Sequence, residues 1–136
     1  MLLARVRRTV RERRLLERGE RVVVAVSGGP DSMAMLDVVA RLARELALDL
    51  SVASVDHGLR AEAADEIELA RALATRLGLP FHALRVVVEP GGSIQAQARR
   101  ARYDALRELA VALGARRIAV GHTRDDQAET VLARLL

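Results

Sequence analysis

Apolar residues along this 136-residue chain switch repeatedly between helical spacing and short unbroken runs. Leu3, Val6 and Val10 recur at helical spacing, and Gly19 then supplies a stop. The apolar run at 22–26 predicts a strand over 21–26, buried on both faces as in a parallel sheet. From near Met33, the positions Met35, Val38, Val39, Leu42 and Leu46 make one apolar helix face. Leu50, Val52 and Val55 mark a second strand that ends at Asp56-His57-Gly58-Leu59-Arg60. Ile67, Ala70, Leu73 and Leu77 define a helix closed by Gly78, with Pro80 just beyond. Residues 81–88 read as a third strand. Ser93 is a good N-cap for a helix carrying Ile94, Ala98, Ala101, Leu106, Leu109 and Leu113, which Gly114 stops. Residues 117–121 make a fourth short strand, and Thr123 caps a last helix running to Leu136. Strands alternating with helices of this length specify an α/β fold, an open parallel sheet with helices on both faces.

Between the first strand and its helix lies Ser27-Gly28-Gly29-Pro30-Asp31-Ser32. A helix N-terminus carries unpaired N–H groups and the positive end of the macrodipole, so it attracts anions. Gly28 and Gly29 let the backbone approach a ligand closely, and Ser27 and Ser32 add hydroxyls that donate to phosphate oxygens. A Walker loop would end in Gly-Lys-Ser/Thr, but the chain has no Lys, all 22 of its basic residues being Arg. Asp31 stands in the stretch instead, and a carboxylate beside phosphates is repulsive unless a cation such as Mg²⁺ lies between them. A plain helix cap needs one polar side chain, not two serines, two glycines and an aspartate.

Ligands of open α/β sheets sit outside the carboxyl ends of the strands, and three further polar clusters fall there. Asp56 and His57 are placed to approach the base or ribose end of a nucleotide, with an ordinary polar loop as the alternative. The helix after Ser93 carries Gln97, Arg99, Arg100, Arg102 and Tyr103; Arg suits bidentate phosphate contact, while a solvated helical face accounts for some of these charges. The last cluster runs from Gly121 through His122, Thr123, Arg124, Asp125, Asp126 and Gln127 to Glu129 and Thr130. On a helix Asp125 and Glu129 share one face at a cost of about 0.2–0.5 kcal/mol, partly offset by the helix dipole. A cation nearby gives a stronger reason for the pair, and His122 can serve as an acid–base group or hydrogen-bond donor. A zinc site is a poor reading, with one His here and no Cys.

Composition narrows the partners. Without Cys there are no disulfides, thiolate metal sites or persulfide chemistry within the chain. No segment has the apolar length to span a bilayer and no apolar leader follows the start, so the expectation is a cytoplasmic, non-membrane protein. One Tyr, one Phe and no Trp leave almost no stacking platform for single-stranded bases. The net charge of +4 is uneven: residues 1–21 hold eight Arg against Glu12, Glu17 and Glu20, whereas the remainder is close to neutral. That basic segment suits contact with a polyanion such as RNA, or is a solvated helix face.

The hexapeptide resembles the SGGxDS pyrophosphate loop of the N-type ATP pyrophosphatases (PP-loop superfamily), which cleave ATP to AMP and pyrophosphate. Together the segments VAVSGGPDSMAML, VDHGLR, SIQAQARRARYDAL and GHTRDDQAETVLARLL resemble the N-terminal domain of the tRNA(Ile)-lysidine synthase family. The resemblance implies a Rossmann-like, adenine nucleotide alpha hydrolase-like sheet, with ATP and Mg²⁺ as cofactors. It implies as partners free lysine and the isoleucine tRNA with a CAU anticodon, whose wobble cytidine is adenylated and then joined to lysine. By the same resemblance Ser27, Gly28, Gly29, Pro30, Asp31 and Ser32 hold the pyrophosphate portion and Asp31 helps place Mg²⁺. Asp56 and His57 lie at the adenosine end, Arg102 on phosphate or tRNA, and His122, Asp125 and Asp126 near the reacting centre. Family members continue well past this point, so 1–136 is expected to be a single partial PP-loop domain, with 1–20 a basic N-terminal helix and the C-terminal tRNA-binding domains absent. Such a piece is expected to bind ATP weakly and not to make lysidine unaided; the oligomeric state is not legible, a homodimer being compatible. Other readings are a nucleotide- or RNA-binding fragment without activity, or another AMP-forming enzyme with the same loop that modifies tRNA or a nucleotide.

Overall fold

A computed structural model describes residues 8, 16–27, 30–56, 58, 63–88, 92–124 and 127–134; of residues 31, 63, 121–124 and 127–134 it describes the backbone. Strand β1 is Arg21–Ala25, helix α1 Pro30–Leu46, β2 Asp49–Asp56 and α2 Ala63–Arg76. They are followed by β3 Phe81–Arg85, α3 Ile94–Leu113, β4 Arg117–Arg124 and β5 Gln127–Arg134. The sheet runs β3-β2-β1-β4-β5. β1, β2, β3 and β4 run parallel to one another, and β5 pairs antiparallel with β4. The expected parallel sheet is therefore present.

The apolar run of β1 is buried on both sides because both faces of the sheet are covered. Val22, Val24, Leu50, Val52 and Ala119 point to the face where Met35, Leu36, Val39 and Leu42 of α1 and Ala70, Leu73 and Ala74 of α2 pack. Val23, Ala25, Ala53, Ile118 and Val120 point to the other, against Leu106 and Ala110 of α3. Val23, Val24, Leu36, Val52 and Leu106 have no exposed surface. Each such aliphatic side chain contributes about 1.5–3 kcal/mol relative to an exposed one.

Helix boundaries follow the local chemistry. The Ser93 hydroxyl accepts from the Ala96 N–H at 3.3 Å, and Gly114 closes α3 in the left-handed region at φ 72°. α1 begins at Pro30, three residues before the apolar periodicity suggests, since a proline in the first turn lacks only an N–H that would be unpaired there. The amino end of the sheet is tied by charge. Arg117 Nε donates to Glu20 Oε1 at 2.8 Å with both side chains 12% exposed, and Arg21 pairs with Asp49 at 3.1 Å. Among the described residues, no helix is long and apolar enough to cross a membrane. The expected N-terminal helix lies outside the described residues apart from Arg8, which is helical, and 16–20.

One element differs from expectation. The last helix is replaced by β5, which forms an antiparallel hairpin with an extended β4. Leu132 fits a helix face, but so short an apolar pattern does not separate helix from strand. The segment also carries β-branched Thr130 and Val131, and β4 offers an open edge whose N–H and C=O groups require partners. Pairing with that edge satisfies both ladders.

Candidate functional site

α1 follows β1 on one face of the sheet, and α3 precedes β4 on the other, so the strand order reverses between β1 and β4. Ligands of open α/β sheets bind outside the carboxyl ends of the strands at such a switch point. The Ser27–Ser32 stretch leaves β1 there. Gly28 and Gly29 lie outside the described residues; Ser27, Pro30 and Ser32 are described, as is the backbone of Asp31. Val26 N–H donates to the Ala53 carbonyl at 2.9 Å, continuing the β1–β2 ladder past the end of β1. Ser27 N–H donates to Ser32 Oγ at 2.9 Å. Ser32 is 9% exposed, and an oxygen accepting from Ser27 keeps its own hydrogen to donate. Asp31 occupies the second position of α1, within the first turn where the helix dipole favours an anion.

Asp56 closes β2. Its Oδ1 accepts from the Gly58 N–H at 2.8 Å in an Asx turn, Gly58 itself having a φ of 72°, and its carbonyl accepts from Val86 N–H at 2.9 Å. The turn holds the Asp56 carboxylate at the carboxyl edge of the sheet, one strand away from the cradle. His57 lies outside the described residues.

Arg102 lies on α3, which covers the opposite face. Arg21 Nη1 donates to the Leu113 carbonyl at 2.9 Å, and four residues later the chain enters β4, which anchors the end of α3 at the amino edge of β1. Arg102 precedes Leu113 by eleven residues, about 17 Å of helix. Arg102 therefore lies in the half of α3 remote from that anchored end. It also lies at four-residue steps from Ala98, Leu106 and Ala110, the buried stripe of α3, and so faces the sheet. Burial pushes its guanidinium below the ordinary arginine value; Tyr103 opposes that fall and Arg99 adds to it. Among the described residues no carboxylate pairs with it. Arg99 stacks over the Tyr103 ring at 5.6 Å.

The fourth cluster is divided. Asp125 and Asp126 lie outside the described residues, and of His122 the backbone alone is described, in β4. His122 is paired in register with Glu129 of β5, so Glu129 is not one helical turn from Asp125 as the helix reading required. A cavity of about 210 Å³ lined by Arg21, Asp49, Ser51 and Leu113 lies at the amino end of the sheet, away from all these groups.

Sequence reasoning missed Ser54. It is 2% exposed, and its Oγ donates to the Val26 carbonyl at 2.7 Å. The available signal was a single hydroxyl inside an otherwise apolar part of β2.

A parallel sheet whose switch point receives a hydroxyl-lined turn and a helix N-terminus defines a phosphate-binding α/β domain. The chain belongs to the PP-loop domain family, whose profile matches residues 3–136. It is similar to tRNA(Ile)-lysidine synthases. The protein of that name from Symbiobacterium thermophilum is 50% identical over 99% of this chain and 29% of its own length. Those from Bradyrhizobium diazoefficiens and Thermobifida fusca are 51% and 44% identical over 85% and 96% of this chain, and 33% and 40% of theirs. The chain thus spans roughly a third of the length of the relatives it matches. Among solved structures, a U34-tRNA thiolase from Methanococcus maripaludis covers 91% of the chain at TM-score 0.77 and 20% identity, with 46% of its own chain covered. An NH3-dependent NAD synthetase from Campylobacter jejuni covers 87% at 0.60 and 16%, with 53% of its own chain covered. At these identities the likeness is one of fold.

Proposed function

We propose that this chain is the ATP-handling domain of a tRNA(Ile)-lysidine synthase, a ligase that joins free lysine to the wobble cytidine of an isoleucine tRNA. The observation that supports it is the position of Ser27 and the start of α1 at the switch point of the sheet, with the Ser27 N–H bonded to Ser32 Oγ. The choice of lysine and tRNA rests on the relatives at 50% and 51% identity. In this reading Ser27 to Ser32 hold the pyrophosphate portion of ATP, with Asp56 and His57 at the adenosine end. Arg102 contacts phosphate or tRNA, and His122, Asp125 and Asp126 lie near the reacting centre. Mg²⁺ takes one or two carboxylates plus substrate phosphates, and Asp31, in the first turn of α1 and next in sequence to Ser32, is the residue that would supply a carboxylate to that donor set. The metal would neutralise phosphate charge.

The cytosine C2 oxygen attacks the α-phosphate of ATP and releases pyrophosphate; the lysine ε-amine then displaces AMP. A poor leaving group becomes a good one after adenylation, so the protein's part is positioning and charge stabilisation. Residues 1–136 then form one partial domain that relies on further tRNA-gripping domains, and the basic 1–20 segment is available to the tRNA backbone. Thiolate cluster ligation has no donor within these residues, which weighs against sulfur transfer.

The test uses bulk tRNA, ATP-Mg²⁺ and isotope-labelled lysine, with this chain and with the longest reading frame that carries it. Label should enter tRNA with the longer protein and be lost with Asp31→Ala. Absence of label from the longer protein, or full activity of Asp31→Ala, contradicts the proposal.

A further inference from the structure

Among the described residues the buried polar side chains are Ser32 and Ser54, and both act on one peptide group. The carbonyl of Val26 and the N–H of Ser27 belong to the same planar unit. Ser54 of β2 donates to that carbonyl at 2.7 Å, and Ser32 of α1 accepts from that N–H at 2.9 Å. One peptide plane is thus gripped on both sides by hydroxyls from two different elements. The Val26 N–H, bonded to the Ala53 carbonyl at 2.9 Å, fixes the preceding plane as well. Together with the Val26 N–H bond, the two hydroxyls therefore hold ψ of Val26 and the orientation of the peptide from which the stretch departs.

We infer that Ser54 is a positioning residue for the phosphate cradle, acting through the Val26–Ser27 peptide; the inference rests on the ATP-binding reading above. Ser54 has almost no surface and touches no ligand itself. Its position in the sheet explains its reach: β2 neighbours β1 in register from Arg21↔Asp49 to Ala25↔Ala53, which sets Ser54 beside Val26. An apolar residue at 54 would keep the strand but leave the Val26 carbonyl buried without its hydroxyl donor. The peptide would then be free to rotate, and the Ser27 N–H would lose its alignment with Ser32. The deficit falls on ligand binding more than on the fold, since the β1–β2 ladder itself does not use the hydroxyl.

The test uses the longest reading frame that carries this chain, unmodified and as Ser54→Ala, Ser54→Thr and Leu106→Val, reading ATP-Mg²⁺ affinity by calorimetric titration and Ser27 amide exchange in the free protein. Ser54→Ala should bind ATP about tenfold more weakly, the equivalent of one hydrogen bond's alignment, and exchange the Ser27 amide about tenfold faster. Ser54→Thr, which keeps a hydroxyl, should restore both. Leu106→Val, a destabilising change on the other face, should move the melting temperature without moving ATP affinity. Unchanged affinity or unchanged Ser27 exchange in Ser54→Ala overturns the positioning role while leaving ATP binding intact. Failure of the unmodified longer protein to bind ATP instead overturns the ATP reading and this role with it, and the exchange data then report the peptide clamp alone.

Discussion

Arg102→Ala is expected to weaken ATP-Mg²⁺ binding about 10- to 100-fold while leaving the melting temperature unchanged or slightly higher. The affinity loss follows from removing charge-assisted hydrogen bonds, worth about 1.5–3 kcal/mol, from a site where phosphate oxygens are the natural acceptors. The stability effect follows from burial. The Arg102 guanidinium is held below its ordinary value by desolvation, and among the described residues no carboxylate offsets that cost. A side chain that is costly in the free protein and valuable with ligand should separate the two readouts on substitution. Arg102→Lys keeps the charge but not the planar fork, so it should recover part of the affinity. Titration calorimetry and thermal melts on the three proteins check this. A fall in melting temperature with unchanged ATP affinity would make Arg102 a structural residue and remove it from the site.

Leu106→Ala, one helical turn further along the same stripe, should do the reverse. Leu106 is fully buried against Val23, Ala25, Ala53, Ile118 and Val120, and Leu→Ala at such positions costs about 2–5 kcal/mol. For a domain of this size the melting temperature should fall by about 10 °C. Below the transition the cradle should bind ATP as before, because its contacts lie with β2 and α1. Denaturant melts with parallel titrations test this, and a cost under about 1 kcal/mol would contradict the packing of α3 described above. The two substitutions thus test separate roles on one helix stripe, packing at Leu106 and the proposed ligand contact at Arg102.

Most of the sheet was legible because burial on both faces writes parallel strands as apolar runs. Residues 22–26 and 118–120 carry that signature, and Ser93 and Gly114 mark the ends of α3 through capping chemistry. The end of the chain was not. Leu132 and its neighbours satisfy a helical period over too few turns to decide against a strand, and what decides is the open edge of β4, a tertiary fact absent from the local pattern. The Ser27–Ser32 stretch stands out in the sequence because its composition exceeds what a helix cap requires. Arg102 was legible as an arginine on a helix, but its burial depends on the packing of α3 against the sheet. Ser54 was invisible for a similar reason: its partner lies on the neighbouring strand, and only the register brings the hydroxyl to the Val26 carbonyl.

The most direct measurement of the central claim is the identity of the phosphate bond that breaks. ATP labelled at the α-phosphate would be incubated with Mg²⁺, lysine and tRNA and the longest reading frame that carries this chain, and the nucleotide product resolved. The account predicts AMP with an equal amount of pyrophosphate, dependent on tRNA and diminished in Arg102→Ala. ADP with orthophosphate would contradict it, because the cradle would then be presenting the terminal phosphate for attack.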